Sequence, residues 1–255
     1  MKAHVRLPTG HRLVHFSEID STNAEALRHA AQGEVGPVWY WADRQVQGRG
    51  RLGRSWKSEI GNLYATLLVA REMKPSQAGS LSIAVALGVL KTFRAYLSQA
   101  SRLELKWPND VLLDGKKVAG ILVESSLQSD LMFFAIGCGL NLLHAPRGTR
   151  YGATSLADKG VKVTPQAALE TLSAEIDQVL RMWNGGAGFD ALKPLWLQHA
   201  KGLGQPISVT AAGQTIEGYF DGLGENGSLL LRNRAGTQEF HAGEVSFADF
   251  SEGLP

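Results

Sequence analysis

Between Arg44 and Lys57 the chain carries five basic residues (Arg44, Arg49, Arg51, Arg54, Lys57) and no acidic one. Three of them belong to the run Gly48-Arg49-Gly50-Arg51-Leu52-Gly53-Arg54-Ser55-Trp56. Over the whole sequence 26 Lys+Arg nearly balance 24 Asp+Glu, so the imbalance is local. Glycines let a backbone take positive φ and come close to a ligand. Arginine forks match the oxygens of a phosphate. Taken alone, such a run is also what a solvated basic turn looks like. With suitable companions it is an anion-binding loop, expected to order when its ligand arrives.

Three further segments are such companions. Lys106-Trp107-Pro108-Asn109-Asp110 must turn, because Pro108 has no N–H for a strand ladder, and it places an ammonium, an amide and a carboxylate on a rigid bend. Lys117-Val118-Ala119-Gly120-Ile121-Leu122-Val123-Glu124 sets a lysine at the mouth of a strand, three residues before a glycine that permits close approach. Gly137-Cys138-Gly139-Leu140-Asn141 ends another strand on a polar residue behind two glycines. Each has a plainer role to weigh against chemistry: Lys117 as a solvated hairpin residue, Asn141 as a turn former, Cys138 as a small buried filler. For Cys138 the plainer role is retained.

The elements that must position these groups follow from the apolar pattern. Leu13–Phe16 reads as a short strand, and Asp20-Ser21-Thr22-Asn23 as a helix start capped by Ser21 or Thr22. Strands over Pro37–Ala42 and Asn62–Ala70 enter and leave the basic loop. A helix is expected from Pro75 to Leu97 with Leu81, Val85, Val89 and Phe93 on one face. Strands follow at Leu103–Lys106, Val111–Leu113, Val118–Ser125 and Leu131–Leu142, with Asp114-Gly115 as the turn before the third. Helices are expected over Pro165–Trp183 and Phe189–Ala200. From Gly204 onward short strands (Ile207–Ala211, Thr215–Gly222, Ser228–Arg232, Glu239–His241, Val245–Phe247) alternate with turns, the pattern of a small barrel.

Composition bounds the rest. The 255 residues suffice for one sizeable domain (1–203) and a small one (204–255). A formal net charge of +2 argues against broad nucleic-acid coating, so no DNA partner is expected. A single cysteine, Cys138, cannot close an internal disulfide, which fits a reducing cytoplasm. Met1–His15 has no apolar stretch of the secretory kind, and no run approaches the roughly 20 apolar residues of a membrane span.

In this order the segments resemble the biotin protein ligase family across nearly the whole chain. The family pattern of an STN segment, a GRGRxGR loop, KWPND, K(L/V)AGILVE and a G-x-G-(I/L)-N strand end stands here as Ser21-Thr22-Asn23, Gly48–Arg54, Lys106–Asp110, Lys117–Glu124 and Gly137–Asn141. Phe220-Asp221-Gly222, Leu229-Leu230-Leu231 and Gly243-Glu244-Val245 resemble the family's final domain. Leu52 departs from a frequent basic residue, and Cys138-Gly139-Leu140 from Ala/Val/Ile-Gly-Ile. The RRxSGGG-type signature of the related lipoate ligases is missing. The Ser-Thr-Asn motif begins at residue 21, which leaves no room for the N-terminal DNA-binding domain of some members. The rival readings are a lipoate-type ligase on the same fold and a non-enzymatic nucleic-acid-binding module.

The resemblance implies an α+β fold: a central mixed sheet flanked by helices, like a class II aminoacyl-tRNA synthetase, with a C-terminal SH3-like β-barrel. It implies that biotin and ATP give biotinyl-5′-AMP with Mg²⁺ assisting, and that a lysine of a biotin carboxyl carrier protein takes the biotinyl group. Carried over by motif, biotin lies among Ser21, Thr22, Asn23, Gln45, Arg49, Gly50, Arg51, Lys117 and Gly120. ATP contacts are Arg51, Arg54, Trp56, Lys106, Asn109, Lys117 and Asn141. Lys117 and Arg51 are the electrostatic catalysts, and Asp110 is either a base, an orienting group or a turn-capping carboxylate. Trp39, Trp41 or the Gly120-Ile121-Leu122 strand supplies an apolar wall for biotin. No residues are assigned as metal ligands. A homodimer through an edge strand is compatible with the resemblance.

Overall fold

The computed structural model describes residues 7–73, 75–128, 130–148 and 152–247; the first six and last eight residues, which the two domain ranges include, lie outside them. The first strand, β1 (Arg12–Ile19), leads into helix α1 (Thr22–Ala31), and β2 (Val38–Gln45) and β3 (Leu63–Arg71) flank the basic loop. Ser21 is the cap of α1, its hydroxyl accepting from Ala24 N at 3.4 Å. Helix α2 spans Leu81–Arg94, and β4 (Leu103–Lys106), β5 (Asp110–Leu113), β6 (Lys116–Gln128) and β7 (Leu131–Leu140) follow. Helices α3 (Pro165–Trp183) and α4 (Phe189–Leu197) precede the last strands.

Strands β1 to β7 form one seven-stranded sheet in the order β1-β2-β3-β7-β6-β5-β4. Only β1 and β2 run parallel; the other neighbours are antiparallel. Helix α1 covers one face through Ala26 and Ala30 against Tyr40, Leu68 and Ala135. Helices α2 and α3 cover the other, where Trp39, Leu67, Phe134 and Ile136 meet Val85, Leu172 and Ile176. The antiparallel register stacks the start of β3, the end of β7 and the start of β6 side by side, with Leu140 opposite both Leu63 and Ala119. Strand ends carrying polar residues are thereby gathered at one end of the sheet. The Asp114-Gly115 turn is as expected, both residues at positive φ (49° and 79°), the conformation a two-residue hairpin needs.

One expected element differs. Pro75–Ser80 is a 3₁₀ turn and the α-helix starts only at Leu81. Glycine at Gly79 disfavours continuing a helix opened at Pro75, and Ser80 is engaged by Trp183, whose Nε1 donates to its hydroxyl at 2.8 Å. Nor is α2 apolar on one face alone: every residue from Ile83 to Leu90 is buried, because the helix lies between the sheet, α3 and α4.

The C-terminal strands β8 (Pro206–Ala211), β9 (Gln214–Leu223), β10 (Leu229–Asn233), β11 (Gly236–Phe240) and β12 (Glu244–Ser246) form a five-stranded antiparallel sheet, β11-β10-β9-β8-β12. Its apolar side continues the main core: Phe220 meets Trp196 of α4 edge-on, ring centroids 6.4 Å apart. Trp107 Nε1 donates to Gly227 O at 2.9 Å, tying the Lys106–Asp110 bend to the β9–β10 turn.

Candidate active site

The basic loop is folded as a tight hairpin. Trp56 N donates to Gly48 O at 2.8 Å and Gly50 N to Arg54 O at 2.7 Å, around a tip at Arg51–Gly53 where Leu52 (φ 55°) and Gly53 (φ 71°) turn left-handed. Its charges are not the five free cations that composition suggested. Arg44 pairs with Glu18, Arg49 with Glu124 and Arg54 with Glu244. These acids lie 26, 75 and 190 residues from their partners, out of reach of a local reading. Arg51 instead donates from Nη1 to Gly243 O at 3.2 Å. Burial pushes its guanidinium below its ordinary pKa, opposed by the charges of Asp110 and Glu244.

Behind the hairpin lies a cavity of about 510 Å³, bordered by every residue nominated as catalytic, biotin-binding or ATP-binding: Ser21, Thr22, Asn23, Gln45, Arg49, Gly50, Arg51, Arg54, Trp56, Lys106, Asn109, Asp110, Lys117, Gly120 and Asn141. At one end, Gln45 Oε1 accepts from Thr22 N (2.9 Å) and lies 3.1 Å from the Thr22 hydroxyl, while Gln45 Nε2 donates to Ser58 Oγ at 3.1 Å. Asn23 is tied within the protein at both ends of its amide. Its Nδ2 donates to Leu122 O (3.1 Å) and Glu124 Oε2 (2.8 Å), and its Oδ1 accepts from Thr66 Oγ1 (2.6 Å). A side chain at Gly137 would put a Cβ 2.2 Å from that Oδ1, so this strand position has to be glycine.

At the other end Lys117 Nζ is 2.7 Å from Asp110 Oδ1 and 5.2 Å from the centre of the Trp56 ring system. Asn109 Nδ2 donates to Ile121 O at 2.6 Å, and Asn141 Nδ2 to Thr154 O at 3.1 Å. Lys106 is buried, its Nζ 5.8 Å from the Phe247 ring centre. Between the two ends lies Trp56. Its indole rests on Gly120 and Gly139, which face each other across β6 and β7; a Cβ on either would meet it at 2.7 or 2.6 Å. The indole nitrogen is buried and has no hydrogen-bond partner among the described residues.

The apolar wall is a correction to the sequence reading. Trp39 lies wholly in the core and Trp41 stacks on His15 at 4.0 Å; neither borders the cavity. Trp56, Tyr64, Trp107, Ile121 and Leu122 line it instead, so of the alternatives named only the Gly120-Ile121-Leu122 strand borders the cavity. Cys138 points into the core, and burial pushes its thiol up to about 12, which keeps it protonated and inert. Sequence reasoning passed over Asn62. Its Oδ1 accepts from the backbone N–H groups of Leu142, Leu143 and His144 at 2.8–3.0 Å, fixing the chain just after Asn141. The only local sign was a polar residue opening an apolar strand.

A cationic cavity at the end of a mixed sheet, closed by a glycine-arginine hairpin, suits the joining of a small acid to a nucleotide phosphate. Residues 17–141 match the Biotin/lipoate A/B protein ligase family, and residues 202–248 the Biotin protein ligase C terminal domain. The chain is 38% identical over 242 residues to a biotin–[acetyl-CoA-carboxylase] ligase of Paracoccus denitrificans, covering 91% of this chain and 99% of that one. It is 32% identical over 235 residues to the enzyme of the same name from Mycobacterium tuberculosis (90% and 86% covered). Among solved structures it is similar to a biotin protein ligase from Aquifex aeolicus in complex with biotin and ATP, with a TM-score of 0.75, 28% identity, and 92% and 97% of the chains covered. The chain belongs to the biotin protein ligase family.

Proposed function

We infer that this protein activates biotin with ATP and transfers the biotinyl group to a lysine of the biotin carboxyl carrier part of acetyl-CoA carboxylase. The observation that carries the reading is the convergence of the five ordered motifs on one cavity, with cations and a bed of glycines facing each other inside it. In the first half-reaction a carboxylate oxygen of biotin attacks the α-phosphorus of ATP, the bond to pyrophosphate breaks, and biotinyl-5′-AMP forms. Attacker and target are both anionic, so cations have to offset their repulsion. Lys117 is assigned that task at the reacting oxygens, with Asp110 orienting its ammonium. Arg51 and Arg54 take the phosphates. Lys106, Asn109, Asn141 and the Trp56 indole form the nucleotide side, and Ser21, Thr22, Gln45, Gly50 and Gly120 the biotin side.

Mg²⁺ is assigned to the phosphates of the incoming ATP, where it supplies charge neutralisation. Among the described residues no group of three or more His, Cys, Asp or Glu stands together. In the second half-reaction the acceptor amine loses a proton and attacks the acyl carbon, and the acyl–phosphate bond breaks to release AMP. The hairpin, fastened at Gly243 and Glu244, excludes water from the mixed anhydride meanwhile. We divide the chain at residues 203/204 into a catalytic domain and a barrel that closes over the nucleotide side. Among the described residues no helix is long and apolar enough to cross a membrane.

The test is ATP–pyrophosphate exchange dependent on biotin. Exchange with biotin and none with lipoate supports the reading; lipoate-dependent exchange, or none with either acid, overturns it.

A further inference from the structure

We propose that Glu124 is a positioning residue for biotin: its one carboxylate ties Asn23 on α1 and Arg49 on the loop to strand β6. The carboxylate receives Asn23 Nδ2 at 2.8 Å on Oε2 and Arg49 Nη2 at 3.2 Å on Oε1. Asn23 has no amide hydrogen left to donate to a ligand, and its oxygen already accepts from Thr66. It is a strut. The groups it carries with it are its neighbours Ser21 and Thr22, which border the cavity beside Gln45. Arg49 likewise turns its guanidinium away to Glu124, which fixes the first limb of the hairpin and the backbone at Gly50.

The hairpin is thus held by two acids on separate elements. Glu124 fastens the limb beside α1, and Glu244 of β12 fastens the limb at Arg54. Loosening the first should disturb biotin recognition and leave the nucleotide side largely intact. The Arg49–Glu124 pair is partly exposed, with side chains 45% and 29% accessible, so its electrostatic part is modest. Its weight lies in joining two binding segments that are otherwise separate in sequence.

The inference rests on the ligase reading, which biotin-dependent exchange by the parent protein tests independently. The experiment is a double-mutant cycle with Glu124→Gln and Arg49→Gln, reading the KM of biotin and of ATP separately in pyrophosphate exchange. Gln at position 124 keeps an oxygen for Asn23 and removes the charge. Each single change should raise the biotin KM about fivefold, the double no more than either single, with the ATP KM moving less than about twofold. A purely architectural role would raise both constants together or lower the melting temperature alone. Either result, unchanged biotin KM, or single effects that multiply in the double variant overturns the proposal. Should Glu124→Gln fail to fold, Arg49→Gln alone still decides: its side chain is half exposed, and removing it leaves the Asn23–Glu124 bond in place.

Discussion

In the reaction proposed above, Lys117 is the residue assigned to the reacting oxygens. It stands one hydrogen-bond length from Asp110 and over the edge of the Trp56 indole. Nothing in the core depends on its volume, so Lys117→Ala should fold normally. Removing one donor aimed at developing charge costs about 2.7–4 kcal/mol, a fall of 10²- to 10³-fold. Circular dichroism and exchange rate together check this, and near-normal exchange in a folded variant would remove Lys117 from the mechanism. Gly139→Ala tests the bed beneath Trp56. The added Cβ would sit 2.6 Å from the ring, so the indole has to lift. The expected result is a changed tryptophan emission and an ATP KM raised about tenfold or more, by loss of roughly 1.4 kcal/mol of nucleotide contact. Unaltered emission would mean that the indole was not seated there. The polar residues at strand mouths were legible in the sequence only as an ordered set, since each alone has a plainer role as a hairpin residue or turn former. The facing of Gly120 and Gly139 was not, since it arises from the pairing of β6 with β7. For the same reason Trp39 and Trp41 stood open beside the Gly120-Ile121-Leu122 strand as the apolar wall: alternation puts them on one face of β2 without saying which face of the sheet holds the site.

At the scale of elements, the hairpin is a lid whose two limbs and tip are fastened to different parts of the molecule. Among the described residues its tip arginine, Arg51, has a carbonyl in hydrogen-bond contact, and burial lowers its guanidinium pKa, the state of a cation that gains when a phosphate arrives. Arg51→Gly deletes that charge and adds backbone freedom at the tip. The contact is worth about 1.5–3 kcal/mol, so biotinyl-5′-AMP should escape one to two decades faster. Lys117 remains, and the adenylate still forms, more slowly. The freed anhydride then acylates lysines on unrelated proteins. Streptavidin blotting with serum albumin as bystander should show labelling by the variant and none by the parent at equal enzyme, biotin and ATP. A variant that stays carrier-specific would show that the tip is not what retains the intermediate. Most element positions were legible from periodicity, and the errors came where packing overruled it. Helix α2 was read as starting at Pro75 because proline opens helices well, whereas the Trp183–Ser80 contact that accompanies its actual start lies 103 residues away.

For the whole molecule, the barrel and the sheet share a core, and this decides which experiments are informative. Deleting the barrel would uncover Trp196, Phe189 and Ile83 together, so a truncated chain reports on aggregation rather than on catalysis. Acid titration tests the joined molecule without cutting it. His199 follows α4 where the chain meets β4, its carbonyl accepting from Leu105 N, and His11 lies between β1 and α3, 3.5 Å from Asp177. Burial lowers the pKa of both; Arg94 reinforces the shift at His199, while Asp177 partly opposes it at His11. A depressed histidine contributes stability that is fully present above its unfolded value of about 6.5 and is lost as pH falls through its folded value. Asp20 behaves in the same direction lower down: hydrogen bonds from Arg28 hold it to about 2, so its contribution is present above the unfolded value and goes only in strong acid. Melting temperature should therefore fall in two stages, first below about pH 6.5 and again below about pH 4. Replacing both histidines with glutamine should flatten the first stage and leave the second. If the double variant loses stability between pH 7 and 5 as steeply as the parent, the junctions at His11 and His199 are not what the protonation disturbs.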